Sequence, residues 1–410
     1  MFQQSRRHYT QALLFALIGL FGIVGQTWAL SFVYVTNYSS DTVSAYSIAP
    51  GTGALTPVAG PAVTTETGPY SVTVSPNGAF AYVANQDSDT VSAYSIDADT
   101  GVLTPVAGPA VAAGVNPYSI TVSPNGAFVY VTNIGSSTIS AYSITAGTGA
   151  LTPVAGPSVT TGAGPYSITV SPNSAFAYVA NVFNTTISAY SINAGTGALT
   201  PVAGPPVATG ISPTSVTVSP NGAFAYVANA GNNTISAYTI NAGTGVLTPV
   251  AGPPVVTGIS PTSITISPNG AFAYVANAGN NTVSAYTITA GTGVLTPVAG
   301  PSVITGSAPV SVSVSPNGAF VYVANAGNNT VSAYTITTGT GVLTPVAGPS
   351  VTTGSAPTSV TVTPDLAPVP APVPAPVPTV ASIPTLSPTG FILLALALVV
   401  AVAVQRRGFF

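Results

Sequence analysis

The side chains able to do acid–base chemistry in this 410-residue sequence are seven carboxylates, nineteen tyrosines and one histidine. His8 lies near the N-terminus, and the four basic residues, Arg6, Arg7, Arg406 and Arg407, occupy the two extreme ends. Lysine and cysteine are absent. Histidine-based catalysis, thiol nucleophiles, His or Cys metal sites and lysine-dependent phosphate loops therefore have no residues to use between the ends. Nucleic-acid binding is excluded on the same ground, because it rests on Lys and Arg neutralising phosphates. Catalysis in the body of the chain would have to rest on carboxylates, tyrosines or a metal alone.

Two groups of residues stand out. Tyr70, Tyr118 and Tyr166 each follow a proline and recur every 48 residues, and the same position then holds Thr214, Thr262, Val310 and Thr358. Glu66 stands four residues before Tyr70. These four predict a binding mouth with aromatic faces and a carboxylate, suited to a glycan or a peptide. Asp87, Asp89, Asp97 and Asp99 are a candidate Ca²⁺ site in successive turns; no other cofactor is expected. Asn-x-Ser/Thr at Asn37, Asn184, Asn232, Asn280 and Asn328 reads as turn chemistry.

The elements that position these residues follow from a repeat. Tyr-Val-(Thr/Ala)-Asn begins at Tyr34 and returns at Tyr82, Tyr130, Tyr178, Tyr226, Tyr274 and Tyr322, always 48 residues on. A second landmark, an alternating Ser-(Val/Ile)-(Thr/Ser)-(Val/Ile) strand, begins at Ser71 and ends its series at Ser359. One unit reads as four strands: Ser71 to Ser75, Phe80 to Asn85, Thr90 to Ile96, and Val102 to Val106 bent by Pro105, with Pro76-Asn77-Gly78 turning the first hairpin. A four-stranded unit of this length is a propeller blade. The prediction is an all-β, seven-bladed propeller over residues 30–365. The first blade lacks its first strand and the chain ends its repeats with an orphan one, so residues 359–363 are expected to complete the first blade in a 3+1 closure. Phe32 and Tyr46, with their repeats, are read as core.

Only 3% of the residues are charged, against about 25% in ordinary domains; Ser, Thr, Asn and Gly must solvate the surface. Residues 1–29 read as a secretory signal. Arg6, Arg7 and His8 precede an apolar run, and Thr27-Trp28-Ala29 offers a cleavage site. The Sec translocon is the expected export partner, with a twin-arginine route as the alternative. Residues 366–382 are a Pro-Val-Ala linker with polyproline II character. Residues 383–410 hold Ile383-Pro384-Thr385-Leu386, Gly390, an apolar helix over 391–404 and then Arg406-Arg407. That helix would span about 21 Å, short of the bilayer core at about 30 Å. Terminal arginines would leave the propeller outside.

The Tyr-Val-Thr-Asn units resemble the YVTN family of β-propellers, found in surface-layer proteins and lactonase-like enzymes. The enzymatic relatives place His, Arg and acidic residues around the channel mouth, which implies that their activity does not carry over to a chain without His or Arg there. Ile383 to Leu386, Gly390, Arg406 and Arg407 resemble the IPTL-CTERM sorting signal. That resemblance implies an exosortase-type processing enzyme and delivery to the outer surface or matrix, with the C-terminal helix as a transient anchor. The function expected from all this is a non-catalytic, exported scaffold or adhesion module for a glycan or surface protein. The alternatives are a lactonase- or lyase-like enzyme and a self-assembling surface-layer protein.

Overall fold

Period-two alternation makes each unit a β-meander, and the proline and glycine positions set its edges. A computed structural model describes residues 30–364. The expected signal (1–29), linker (366–382), sorting tail (383–410) and helix over 391–404 lie outside the described residues. Among the described residues no helix is long and apolar enough to cross a membrane.

Seven sheets follow one another along the chain. In the second, Pro69–Val74 is innermost, followed by Phe80–Asn85, Thr90–Ile96 and Leu103–Pro105. Thr73 faces Tyr82, Tyr82 faces Ala93, and Tyr94 faces Pro105. The expected single fourth strand is instead two short ones. Leu103–Pro105 covers one half of the third strand's outer edge and Val111–Ala112 covers the other half. Pro105 and Pro109 have no N–H to extend a ladder, and Gly108 turns the chain at φ 107° between the two pieces. The same prolines cap the exposed edge against pairing with other chains.

The expected closure is present. Pro357–Val362 pairs antiparallel with Phe32–Asn37, setting Val33 opposite Val362 and Thr36 opposite Ser359, so the last strand is the innermost of the first blade. Thr363 adds a two-way clasp with Phe32: the Phe32 N–H donates to its Oγ1 at 2.8 Å, and its own N–H donates to the Phe32 carbonyl at 2.9 Å. Each inner strand is also tied to the next by a backbone N–H donating to a serine hydroxyl. Ile120 to Ser71 (3.4 Å) begins the series, and it runs through the closure as Val360 to Ser311 and Val72 to Ser359.

The core lies between blades. Phe32, Tyr34 and Val43 of the first blade pack against Val72, Ala81, Val83, Tyr94 and Leu103 of the second, and the pattern recurs around the ring. The second strand is buried along its whole length on both faces, which is why alanine, the smallest chiral residue, shares it with tyrosine. The repeat tyrosine is a latch. Tyr34 donates to the Gly101 carbonyl of the next blade at 2.8 Å, and the seventh copy, Tyr322, returns to Gly53 at 3.0 Å. Gly101 sits at φ 73°, and a Cβ there would lie 2.2 Å from the Phe32 ring. Gly108 also has positive φ but open space around it. Gly101→Ala should therefore cost about 1–3 kcal/mol more than Gly108→Ala, since only the first adds overpacking to backbone strain. Equal urea midpoints for the two variants would contradict this packing.

Candidate functional site

Each inner strand starts with a proline and then a bulge. In the second blade Pro69 pairs with Asn85 and Ser71 with Ala84, leaving Tyr70 as the extra residue. All seven blades repeat this shift, so Tyr118, Tyr166, Thr214, Thr262, Val310 and Thr358 occupy the same bulged position. A bulged residue is freed from the pleat and re-aimed. Here seven of them surround one mouth of the ring formed by the inner strands. The lead-in loops are held by side chains from the preceding blade. Asp41 accepts from the Gly68 N–H at 2.8 Å, and Asp89 accepts from the Asn116 N–H at 2.7 Å, a role that Asn233 takes for Ser260.

The mouth is asymmetric. Thr214, Thr262 and Thr358 turn their hydroxyls onto the carbonyls of Pro261, Pro309 and Pro69 in the next blade. Tyr70, Tyr118 and Tyr166 instead stack on one another, with ring centroids 3.8 and 4.1 Å apart. The Tyr70 and Tyr118 hydroxyls share a hydrogen bond. The ring faces expected to receive a sugar are thus occupied by neighbouring rings, and Tyr118 is only 8% exposed. Burial, and then the charge of the neighbouring tyrosines, pushes the hydroxyls of Tyr70 and Tyr118 far above their ordinary range. Both are neutral donors at any physiological pH.

One further tyrosine and one carboxylate join the stack. Tyr38 meets Tyr70 edge to face, with centroids 6.3 Å apart and planes at 82°. Its hydroxyl donates to Asp87 Oδ1 at 3.0 Å, and this bond is the main reason that its pKa is raised. The sequence reading missed Tyr38. The signal was available, because the residue after each Tyr-Val-(Thr/Ala)-Asn is Gln86, Ile134, Val182, Ala230, Ala278 or Ala326 in the other blades, and only the first is aromatic.

The remaining expectations separate. Glu66 does not join the tyrosines; it is exposed and lines a cleft of about 290 Å³ between blades, beside Tyr94 and the Pro105–Val111 segment. The four aspartates do not converge either. Asp87 and Asp89 precede the strand Thr90–Ile96 and Asp97 and Asp99 follow it, which sets the pairs at opposite ends of about 20 Å of chain. Asp97 caps its own turn, accepting from the Thr100 hydroxyl at 2.8 Å and the Thr100 N–H at 2.9 Å, and these bonds lower its pKa. Among the described residues no group of three or more His, Asp or Glu is placed to hold a metal ion.

Residues 27–116 and 108–312 match the family model described as lactonase, 7-bladed beta-propeller. Residues 381–407 match the IPTL-CTERM motif, which points to export and surface sorting and is consistent with processing by an exosortase-type enzyme. No curated protein matches the sequence. Among solved structures, the periplasmic gluconolactonase PpgL of Pseudomonas aeruginosa is 18% identical, with a TM-score of 0.68 over 82% of this chain and 100% of that one. A candidate 6-phosphogluconolactonase of Bacteroides fragilis is 20% identical, with a TM-score of 0.71 over 83% and 99%. A protein from Lactobacillus plantarum is 22% identical, with a TM-score of 0.69 over 81% and 99%. At these identities the likeness is one of fold. The family match overturns the expectation of a non-catalytic scaffold or adhesion module. Residues 30–364 hold no His, Lys, Arg or Cys, the commonest catalytic groups, but ester hydrolysis needs only a base and neutral hydrogen-bond donors, and carboxylates and tyrosines are groups of those two kinds. The chain belongs to the seven-bladed β-propeller lactonase family.

Proposed function

We propose that this protein hydrolyses lactones at the mouth built by Tyr38, Tyr70, Tyr118, Tyr166 and Asp87. The observation that carries the reading is the break in sevenfold symmetry. Three bulged positions on successive blades hold stacked tyrosines, and Tyr38 links them to a carboxylate. Family membership supports the reaction class.

The chemistry is assigned as follows. The Asp87 carboxylate takes a proton from water, whose oxygen attacks the lactone carbonyl carbon. The tetrahedral oxyanion accepts hydrogen bonds from the tyrosine hydroxyls, which act in a partly buried site where such donors are strongest. Collapse breaks the ring C–O bond, and the proton held by Asp87 passes to the leaving alkoxide, giving a hydroxy acid. Tyr38 positions Asp87. Export through the Sec translocon, with residues 391–404 as a transient anchor before processing, would place this reaction outside the inner membrane.

Tyr118→Phe keeps the ring stack but removes the central hydroxyl. It should lower kcat/KM about 10²- to 10³-fold, while the hydroxyl of Tyr70 left without its partner costs at most about 1–3 kcal/mol of stability. Asp87→Asn should lose about 10²- to 10⁴-fold. The assay is pH-stat titration of the acid released from simple lactones; full activity in both variants would rule out this site.

A further inference from the structure

The loops leading into the bulged positions carry a second asymmetry that matches the first. Two residues before each inner-strand proline, the chain holds Val115, Ile211 and Ile259 in the third, fifth and sixth blades, but Thr67, Ser307 and Ser355 in the second, seventh and first. The fourth blade has Ala163 there and places Phe183 in the adjoining turn, where its ring lies over Gly164, two residues before Tyr166. These side chains are not core. Phe183 is 74% exposed, Ile211 57%, Ile259 54% and Val115 50%. They project from one face on four successive blades and form an apolar arc around the mouth. Asp41, Asp87 and Asp89 all belong to the other side, on the first and second blades. Residues 30–364 contain no Lys, Arg or His to offset them.

We infer that the substrate is an uncharged lactone bearing an apolar chain, with its ring at the tyrosines and its chain laid along Val115, Phe183, Ile211 and Ile259. The inference rests on the lactonase reading above. Two physical arguments support it. An anionic lactone, such as a phosphorylated sugar lactone, would approach carboxylates with no cation to receive it, and like-charge juxtaposition is strongly unfavourable. An alkyl chain leaving the tyrosine stack, in contrast, meets an apolar arc that begins at Val115, three residues before Tyr118, and continues at Phe183, whose ring lies over Gly164 just before Tyr166. Burying a methylene on such a surface is worth up to about four-fold in binding.

The test compares δ-valerolactone, the alkyl-substituted δ-decalactone and 6-phosphogluconolactone on the wild-type chain and on the double variant Phe183→Ser/Ile211→Ser. Both changes are on exposed side chains. The wild type should prefer the alkyl lactone over its short parent by about ten-fold or more in kcat/KM. It should turn over the phosphorylated lactone about a hundred-fold less well than the alkyl one. The double variant should fall to the rate of the short parent on the alkyl lactone and be unchanged on δ-valerolactone. Equal rates on short and alkyl lactones, preference for the phosphorylated one, or a double variant with wild-type selectivity would overturn the inference. The lactonase assignment itself would survive those results if Tyr118→Phe still lowered kcat/KM about 10²-fold or more. Hydrolysis of none of the three would overturn both.

Discussion

A chain ending just before Pro357 should fail to form a cooperatively folded ring, while one ending after Pro364 should melt like the full protein. Pro357–Val362 supplies the inner strand of the first blade. Removing it strips the partners from Val33 to Asn37, a segment buried along its whole length. It also removes Val360 from the core shared with Phe320 and Tyr322, the Ser359 acceptor for the Val72 N–H, and the Thr363 clasp on Phe32. Each buried backbone group left unpaired costs about 1–3 kcal/mol, and several are created at once. The sum exceeds the net stability of about 5–15 kcal/mol typical of a domain. A cut beyond Pro364 removes no ladder pair. Thermal melts followed by circular dichroism decide the matter; a shared melting temperature would falsify the closure as the source of stability.

Alkali should unfold this protein far more effectively than acid. Seven latch tyrosines, Tyr34 and its repeats, donate to buried glycine carbonyls and must be neutral to do so. Burial raises the pKa of every one of them, and that of Tyr142 to about 12. In the unfolded chain tyrosine ionises near pH 10, or about that. The folded state therefore holds protons that the unfolded state releases, and stability is fully present below about pH 10 and lost as pH rises toward the folded values. For Tyr142 alone the rise from 10.0 to about 12 corresponds to roughly 2.7 kcal/mol. Fifteen further tyrosines, each raised chiefly by burial, respond in the same direction. On the acid side, Asp97, an exposed turn cap, has a lowered pKa. Its contribution is present above the unfolded carboxylate value and lost as pH falls through the folded one, and solvent screening keeps it small. The urea midpoint should be flat from about pH 5 to 9 and drop steeply above 10. A midpoint that holds at about pH 11, or that falls mainly in acid, would contradict the latch.

The same chemistry links stability to the proposed site. Tyr70 and Tyr118 remain protonated by the burial that keeps the latches neutral, so the oxyanion donors survive to the pH at which the fold itself gives way. Loss of lactonase activity and loss of structure should coincide in alkali.

Much of this molecule was legible in its residues. An uninterrupted 48-residue spacing set the blade count, the alternation set three of the strands, and the orphan Ser359 strand set the closure. The phase of Phe32 and Tyr46 marked the core. All of these are properties of periodicity, which a linear sequence reports directly because each blade repeats the same local geometry. The site was less legible. Tyr70, Tyr118 and Tyr166 could be picked out as a break in symmetry, but whether they offered their faces or stacked on each other depends on how neighbouring bulges aim them. Glu66 is close to Tyr70 in sequence and distant in role, because the lead-in segment crosses the blade from rim to centre in those four residues. Asp87 was grouped with Asp97 by composition and separated from it by a full strand. Its true partner, Tyr38, is 49 residues away, one repeat and one position on. Such pairings arise only when blades are laid side by side around a closed ring, and that superposition is a property of the tertiary structure alone.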